Sequence, residues 1–211
     1  LLGEVQEAGI RYFYHYGHPV SGLAREGSPP RRPEVCATGA TGMGLYNLVV
    51  GAEREVISRR EAGLRVRRIL RFLATRAERH HGAFSHGMDG ATGRIIQFGQ
   101  HDNGVDLVET SFLASGFLVV REYFGADTEV EIEIRAIADE LWRDIEWDRF
   151  VQTGPRGAYL PWHWSPTHGY DRTMPITGFN EAQITYVLAV ASPTHAIDPE
   201  VYWSGWEVDS Y

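Results

Sequence analysis

Hydrophobic residues recur at helical spacing in several segments of the chain. In residues 58–78 the apolar side chains fall on one helical face and the arginines on the other. Ser58, followed three residues later by Glu61, is the pattern of a capping box that starts this helix. Strand-like alternation is rare, apart from a short hairpin predicted around Asp89, so the pattern indicates an all-α fold. The predicted helices cover residues 1–16, 38–54, 58–78, 105–124, 129–145 and 178–191.

The connections between these helices alternate in length. The second and third helices are joined tightly at residues 56–57, and the fourth and fifth at residues 125–127. The other connections are long loops. In a ring of helical hairpins, short turns collect at one end and long loops at the other. Because loops on a rigid scaffold often carry function, we expect the functional residues at the long-loop end.

Composition narrows the class of protein. With 211 residues, 43% hydrophobic and 23% charged, the chain is predicted to be a single globular domain, residues 1–211. The net charge of −8 argues against a nucleic-acid partner. The arginines between Arg59 and Arg71 are interpreted as the solvated face of a helix. No apolar run reaches the ~18 residues of a membrane span.

An acidic run marks the most informative segment. Asp102, Asp106 and Glu109 lie where a glycine-marked loop turns into an apolar helix. On a helix, Asp106 and Glu109 share one face. Acidic residues at a helix start also complement the helix dipole, and this structural role remains an alternative. However, Glu109 directly precedes the apolar region around Phe112, and carboxylates grouped against a core shift each other's pKa values, as acid/base chemistry requires.

A second acidic candidate is Glu181, at the start of the almost wholly apolar last predicted helix. It could be only a helix cap. Its setting beside Phe179 is instead expected to raise its pKa and keep it protonated. A protonated carboxylic acid facing ionised carboxylates is the arrangement that glycoside hydrolysis uses.

Aromatic residues supply the other part of a sugar site. Trp162, His163 and Trp164 lie in a long loop, where flat rings can stack on sugar faces and the histidine can bind hydroxyl groups. The alternative, that these rings belong to the core, is left open. For Trp142 and Trp147, on or beside a helix, the core interpretation is preferred.

The sequence gives less support to metal, cysteine, nucleotide-binding and serine-nucleophile chemistry. His80, His81, His86 and His101 are close in sequence to acidic residues, but no HExxH spacing is present, and no metal or other cofactor is predicted. The single cysteine, Cys36, excludes an intrachain disulfide and a thiolate metal cluster. The glycine-rich segment near residue 40 lacks the lysine of a P-loop, and no Gly-x-Ser-x-Gly nucleophile motif occurs.

Several sequence blocks together resemble the glucoamylase-like glycoside hydrolase family, which includes bacterial endo-β-1,2-glucanases. The blocks are FYHYGHPVSGL at 13–23, ATGATGMG at 37–44, DLVETSF at 106–112, GFNEA at 178–182 and ASPTH at 191–195. This resemblance implies an (α/α)6 toroid barrel, of which about half is expected here. We therefore expect either a partial catalytic domain or a half-barrel completed by a second copy or another partner.

The resemblance also implies roles for individual residues. Glu181 matches the general acid of the family. Asp102, Asp106 and Glu109 match the acidic group from which a water-activating base or a proton relay is drawn. The residues expected at sugar subsites are His18, Arg25, Trp162, His163 and Trp164.

The function predicted on this basis is hydrolysis of a β-linked glucan, with β-1,2-glucan first among the candidates. A transglycosylase of the same fold and a non-catalytic glycan-binding module are the alternatives. The predicted partner is an oligo- or polysaccharide, and the resemblance implies a periplasmic or secreted location. Apolar helix faces without a second half predict self-association or pairing with a C-terminal half.

Overall fold

A computed structural model describes residues 1–27 and 31–206, and helices dominate it. The all-α prediction is confirmed in its main feature, although a short last helix was not predicted. No helix of the described residues is long and apolar enough to cross a membrane. The helices are α1 (Leu2–His15), α2 (Thr38–Glu53), α3 (Arg59–Thr75), α4 (Leu107–Tyr123), α5 (Glu129–Arg143), α6 (Gln183–Ala191) and α7 (Glu200–Gly205).

Short strands occupy the long connections, and most of them were not predicted. They form the antiparallel sheets β1–β4–β5, β2–β3, β6–β9 and β7–β8. The predicted hairpin around Asp89 is confirmed, since it joins β4 to β5. The strands are β1 (Val35–Ala37), β2 (Arg79–His80), β3 (Ala83–Phe84), β4 (Gly87–Asp89), β5 (Ile95–Ile96), β6 (Val105–Asp106), β7 (Gln152–Gly154), β8 (Gly157–Tyr159) and β9 (His163–Trp164).

The helices form two layers. Helix α4 packs between α2 and α6, and behind these helices α3 packs against α5. The tight connections 54–58 and 124–128 are confirmed, and the long connections lead into the N-terminal ends of α2, α4 and α6. These hairpins fit part of a helical toroid. The described residues do not close into a barrel.

Glycines let α2 and α4 touch through their backbones. A Cβ atom on Gly116 would lie 2.8 Å from the carbonyl oxygen of Gly42, and one on Gly42 would collide with the carbonyl of Phe112. Real Cβ atoms do not approach backbone this closely, so both positions need glycine. The two helices are therefore held at a separation that backbone atoms set.

Arginines of α3 bind glutamates of α5, which corrects the interpretation of a purely solvated face. Arg59 donates from Nε and Nη2 to the two carboxylate oxygens of Glu131, both at 2.9 Å. Arg71 donates from Nε and Nη2 to the two carboxylate oxygens of Glu133, and Arg67 lies 3.5 Å from the same carboxylate. The predicted capping box at the start of α3 is confirmed.

Candidate active site

Asp106 is the N-cap of α4. Its Oδ1 accepts hydrogen bonds from the backbone N–H groups of Val108 at 2.9 Å and Glu109 at 3.0 Å. Aspartate is a favoured N-cap because its side chain satisfies N–H groups that have no partner in the first helical turn. The residue is 3% exposed. The chain thus places a buried carboxylate where the strand β6 turns into α4.

Glu109 connects α4 to the beginning of α2. Its Oε2 accepts a hydrogen bond of 2.6 Å from the backbone N–H of Gly39. Burial raises the pKa of Glu109 and the negative charge of Asp106 raises it further, while the Gly39 hydrogen bond opposes the rise. A Cβ atom on Gly39 would lie 2.8 Å from this Oε2, so glycine leaves the space in which the carboxylate sits.

Asp102 lies in the loop before β6 and is half-buried. Burial raises its pKa first, followed by the charge of Asp106, and His163 and His86 oppose the rise. The three predicted carboxylates therefore form one electrostatically coupled acidic cluster, Asp102, Asp106 and Glu109. Asp102 and Glu109 have pKa values raised by burial first and then by the charge of Asp106.

His86 contacts the acidic cluster and was missed as part of it by sequence reasoning. Its Nδ1 lies 3.2 Å from Oδ2 of Asp106, and this hydrogen bond raises the pKa of His86 against the effect of burial. The ring of Phe98 stacks on the imidazole, with 4.1 Å between centroids. Because 20 residues separate His86 from Asp106, no local spacing could have pointed to their contact.

The predicted aromatic loop lies beside the acidic cluster. Strand β9 pairs with β6, so that His163 is opposite Asp106 and Trp164 is opposite Val105. The carbonyl of Trp162 accepts a hydrogen bond of 2.8 Å from the N–H of Leu107. Trp162 and Trp164 are half-buried and pack partly on the core. Their contact with sugar stays a prediction, but their position next to the carboxylates agrees with it.

Glu181 occupies a turn before α6, because that helix begins at Gln183 and not at Gly178. The apolar surroundings expected for it are absent from the described residues, since Glu181 is exposed and its neighbour Phe179 is fully exposed. That part of the prediction is wrong. A hydrogen bond of 3.0 Å from Thr185 in α6 to Ser111 in α4 nevertheless brings the N-terminal ends of these helices together.

Two other predicted sugar-binding residues, His18 and Arg25, make contacts within the scaffold. His18 is 1% exposed and pairs with Glu34 at 2.8 Å. Arg25 donates from Nε to the carbonyl of Pro33 at 2.9 Å. Within the described residues, neither side chain has a hydrogen bond to the acidic cluster. Their sugar contact stays a prediction, and the burial of His18 argues against it.

The arrangement suits proton transfer. Across residues 1–27 and 31–206, no group of three or more histidine, cysteine, aspartate or glutamate side chains could hold a metal ion. Burial raises the pKa of the Cys36 thiol to about 12, which makes it a poor nucleophile. Asp102 and Glu109 remain as carboxyl groups that can hold or accept a proton near the positive ends of α2 and α4.

Comparison with known proteins finds several that are similar to this chain. The family model Glycoamylase, described as "Putative glucoamylase", matches residues 173–211. An exo β-1,2-glucooligosaccharide sophorohydrolase (non-reducing end) of Parabacteroides distasonis is 45% identical over 207 residues, which are 98% of this chain and 28% of that protein. The chain therefore spans well under half the length of this curated relative.

Solved structures extend the comparison. An endo-β-1,2-glucanase from Chitinophaga pinensis, in complex with sophorotriose and glucose, has a TM-score of 0.89 and 43% identity. The match covers 97% of this chain and 49% of that one. A β-1,2-glucanase from Parabacteroides distasonis has a TM-score of 0.91 and 45% identity, over 97% of this chain and 29% of that one.

Proposed function

Since the chain resembles glucoamylase-like glycoside hydrolases over almost its whole length, we propose that it hydrolyses β-linked glucan, with β-1,2-glucan as its substrate. The resemblance predicted from the sequence blocks is confirmed. The observation that carries the proposal is the acidic cluster, in which Asp102 and Glu109 have pKa values raised by burial. Such carboxyl groups are the acid/base residues that cleavage of a glycosidic bond requires.

We also propose that the helical hairpins form about half of an (α/α)6 toroid. The TM-score of 0.89 to a chain twice as long supports this arrangement. The complementary half would come from further sequence or from a second copy of the chain. The proposal includes a periplasmic or secreted location, which rests on the resemblance.

In the proposed reaction, Glu181 gives its proton to the glycosidic oxygen as the bond to the anomeric carbon breaks. Water attacks that carbon, and Asp102 or Glu109 takes the proton that the water loses. Asp106 orders the first turn of α4 and so positions Glu109. Trp162 and Trp164 border the same end of the helices and offer faces on which sugar rings stack.

The test is product release from linear β-1,2-glucan, measured at two protein concentrations. Glu181→Gln should abolish release, because glutamine cannot donate the proton, while calorimetry still detects binding of a short β-1,2-linked oligosaccharide. Glu200→Gln is the matched control, since Glu200 is also an exposed glutamate at a helix start. This variant should release products at the wild-type rate.

One outcome would contradict the role of Glu181, and two would contradict hydrolysis. Wild-type activity in Glu181→Gln would remove this residue from the reaction. Binding without release, by folded protein at both concentrations, would favour a glycan-binding role. Longer or cyclic products would indicate transfer to sugar instead of water. Release that rises more than in proportion to concentration would support completion of the site by a second copy.

A further inference from the structure

The two carboxylate oxygens of Asp106 have different hydrogen-bond partners. Oδ1 accepts the N–H groups of Val108 and Glu109 in the first turn of α4, whereas Oδ2 faces Nδ1 of His86 at 3.2 Å. A carboxylate held by a helix terminus on one side and by a ring on the other has little freedom to rotate. Asp106 is therefore poorly placed to take a proton from water and well placed to hold Glu109.

His86 is itself fixed from two sides. Its backbone carbonyl accepts a hydrogen bond of 3.1 Å from the N–H of Thr38, the first residue of α2. The ring of Phe98 covers one face of the imidazole at 4.1 Å, nearly parallel to it. Because Gly39 follows Thr38 and binds Glu109, His86 and Glu109 are both tied to the beginning of α2.

The charges around His86 favour its protonated form. Its hydrogen bond to Asp106 raises its pKa most, and the charges of Glu109, Asp106 and Asp102 add to this effect. On β9, His163 lies opposite Asp106. On the other side, a groove that His86 shares with Phe98 is also lined by one acidic and one basic residue, Glu26 and Arg32.

We propose that His86 is a positioning residue of the acidic cluster: its imidazolium donates from Nδ1 to Asp106, and Phe98 shields this pair. Its effect on catalysis rests on the proposed function, whereas the pairing itself does not. Protonated His86 fixes Asp106, Asp106 fixes the first turn of α4, and that turn sets where the carboxylate of Glu109 lies. Loss of the proton loosens the cluster.

The pairing is tested first without any activity. Imidazole ¹⁵N shifts of His86, followed by NMR over pH 4–9 in the whole chain, should give a pKa above the ordinary value of about 6.5. In Asp106→Asn the pKa should fall to or below that value, because the ionised partner is gone. Titration of His86 at its ordinary pKa in both proteins would overturn the proposal.

Two substitutions of His86 test the consequence of the pairing for catalysis. In His86→Asn the amide retains a donor near the position of Nδ1 but cannot titrate, so kcat should stay within about tenfold of wild type. In the wild type, kcat should decrease at alkaline pH as His86 loses its proton. In His86→Asn this decrease should be absent. His86→Leu removes the donor as well, and kcat should fall about 10–100-fold with KM nearly unchanged, because substrate contacts remain.

The control is His195→Asn. His195 also pairs with an aspartate, Asp148, at 3.2 Å, but outside the acidic cluster. This variant should retain the wild-type kcat and pH profile. A wild-type kcat and pH profile in folded His86→Leu would overturn the positioning role. If the chain hydrolyses no glucan while His86 titrates as expected, the proposed function fails and the pairing stands.

If His86→Leu is too unstable for kinetic assays, the pH dependence of its free energy of unfolding tests the pairing independently. A histidine whose pKa is raised by folding contributes stability that is fully present below its unfolded pKa of about 6.5 and is lost as pH rises through the folded value. The deficit in the free energy of unfolding of His86→Leu should therefore be largest near pH 5–6 and shrink above pH 7. A deficit that is independent of pH would indicate loss of packing alone and would contradict the pairing.

Discussion

Two groups of carboxylates in this molecule have pKa values shifted in opposite directions. On α5, hydrogen bonds from arginines of α3 lower the pKa values of Glu131 and Glu133. Before and within α4, burial raises the pKa values of Asp102 and Glu109. The residue types are the same, but arginines bind the carboxylates of one group directly, whereas in the other group burial and the charge of Asp106 outweigh the opposing effect of the nearby histidines. The surroundings of the carboxylates, and not the number of acidic residues, therefore distinguish the ion pairs of the scaffold from the candidate active site.

The two groups also make stability depend on pH with opposite signs. A carboxyl group whose pKa is lowered by folding adds stability above its unfolded pKa, near 4, and this stability is lost as pH falls. A carboxyl group whose pKa is raised costs stability as pH rises from about 4 through its folded value. Ionised Asp102 and Glu109 are therefore expected to cost stability, whereas ionised Glu131 and Glu133 add to it.

The largest expected effect comes from neutralising one member of each group. Glu109→Gln should lower product release about 10²–10⁴-fold, because an acid/base group is lost. Its melting temperature should stay level or rise by about 1–3 °C, since a buried charge is removed. Glu133→Gln should keep full activity and lose about 0.2–1 kcal/mol of unfolding free energy, as a partly exposed ion pair does.

Activity assays and thermal melts of both variants check this contrast. Equal losses of activity in Glu109→Gln and Glu133→Gln would erase the distinction between the two groups. A marked drop in the melting temperature of Glu109→Gln would show that its carboxylate stabilises the fold.

A smaller effect on product release is expected when the carboxylate of Glu109 is displaced but not removed. Gly39→Ala places a Cβ atom 2.8 Å from Oε2 of Glu109, so the carboxylate must shift. Product release should fall about 10–100-fold, as expected when a catalytic group is displaced by about 1 Å.

Gly63→Ala is the matched control for this shift. At that position in α3, a Cβ atom would meet Phe124 and Val130 at an ordinary 3.5 Å. Alanine there should gain about 0.5–1 kcal/mol of helix stability without changing activity. Wild-type kinetics in Gly39→Ala would mean that the position of Glu109 matters little.

The smallest effect is expected in the scaffold. Arg59→Gln removes the bidentate partner of the buried Glu131 and should cost about 1–2 kcal/mol of unfolding free energy at pH 7. Because the pKa of Glu131 is lowered by folding, this cost should begin to shrink as pH falls below about 4 and should disappear only when pH falls through the lower folded value. Urea denaturation at pH 7 and pH 3.5 measures the difference. Arg60→Gln, at an exposed neighbouring position, should cost little at either pH; equal costs for both variants would refute the role of Glu131.

Sequence reasoning predicted the long helices well, because their periodic apolar faces are a local signal. It gave α3 and α5 to within a few residues and identified the capping box of Ser58. Most of the strands were missed, apart from the hairpin around Asp89, because runs of two or three residues are too short to show alternation. The start of α6 was placed early, since the apolar run does not reveal that residues 178–182 form a turn.

The candidate site shows the same limit. The acidic cluster was predicted because its members lie within eight positions of one another. The contact of His86 with Asp106 spans 20 residues, and that of Gly39 with Glu109 spans 70. Such contacts depend on how helices dock, which a single sequence does not encode in any spacing. For the same reason the exposure of Glu181 could not be read from its apolar neighbours.

The backbone contact of α2 with α4 also determines how the site opens. With Gly42 and Gly116 at the crossing, no side chain can rotate aside to let the helices separate partially. We expect the hydrogen bond from Gly39 to Glu109 to be long-lived, because the two helices that it joins are held at backbone contact. Amide hydrogen exchange at Gly39 should be as slow as in the core of α4. The exchange rate of this N–H group then measures how often its hydrogen bond to Glu109 opens. Slow exchange at Gly39 would indicate that the acidic cluster loses its shape mainly through larger unfolding events.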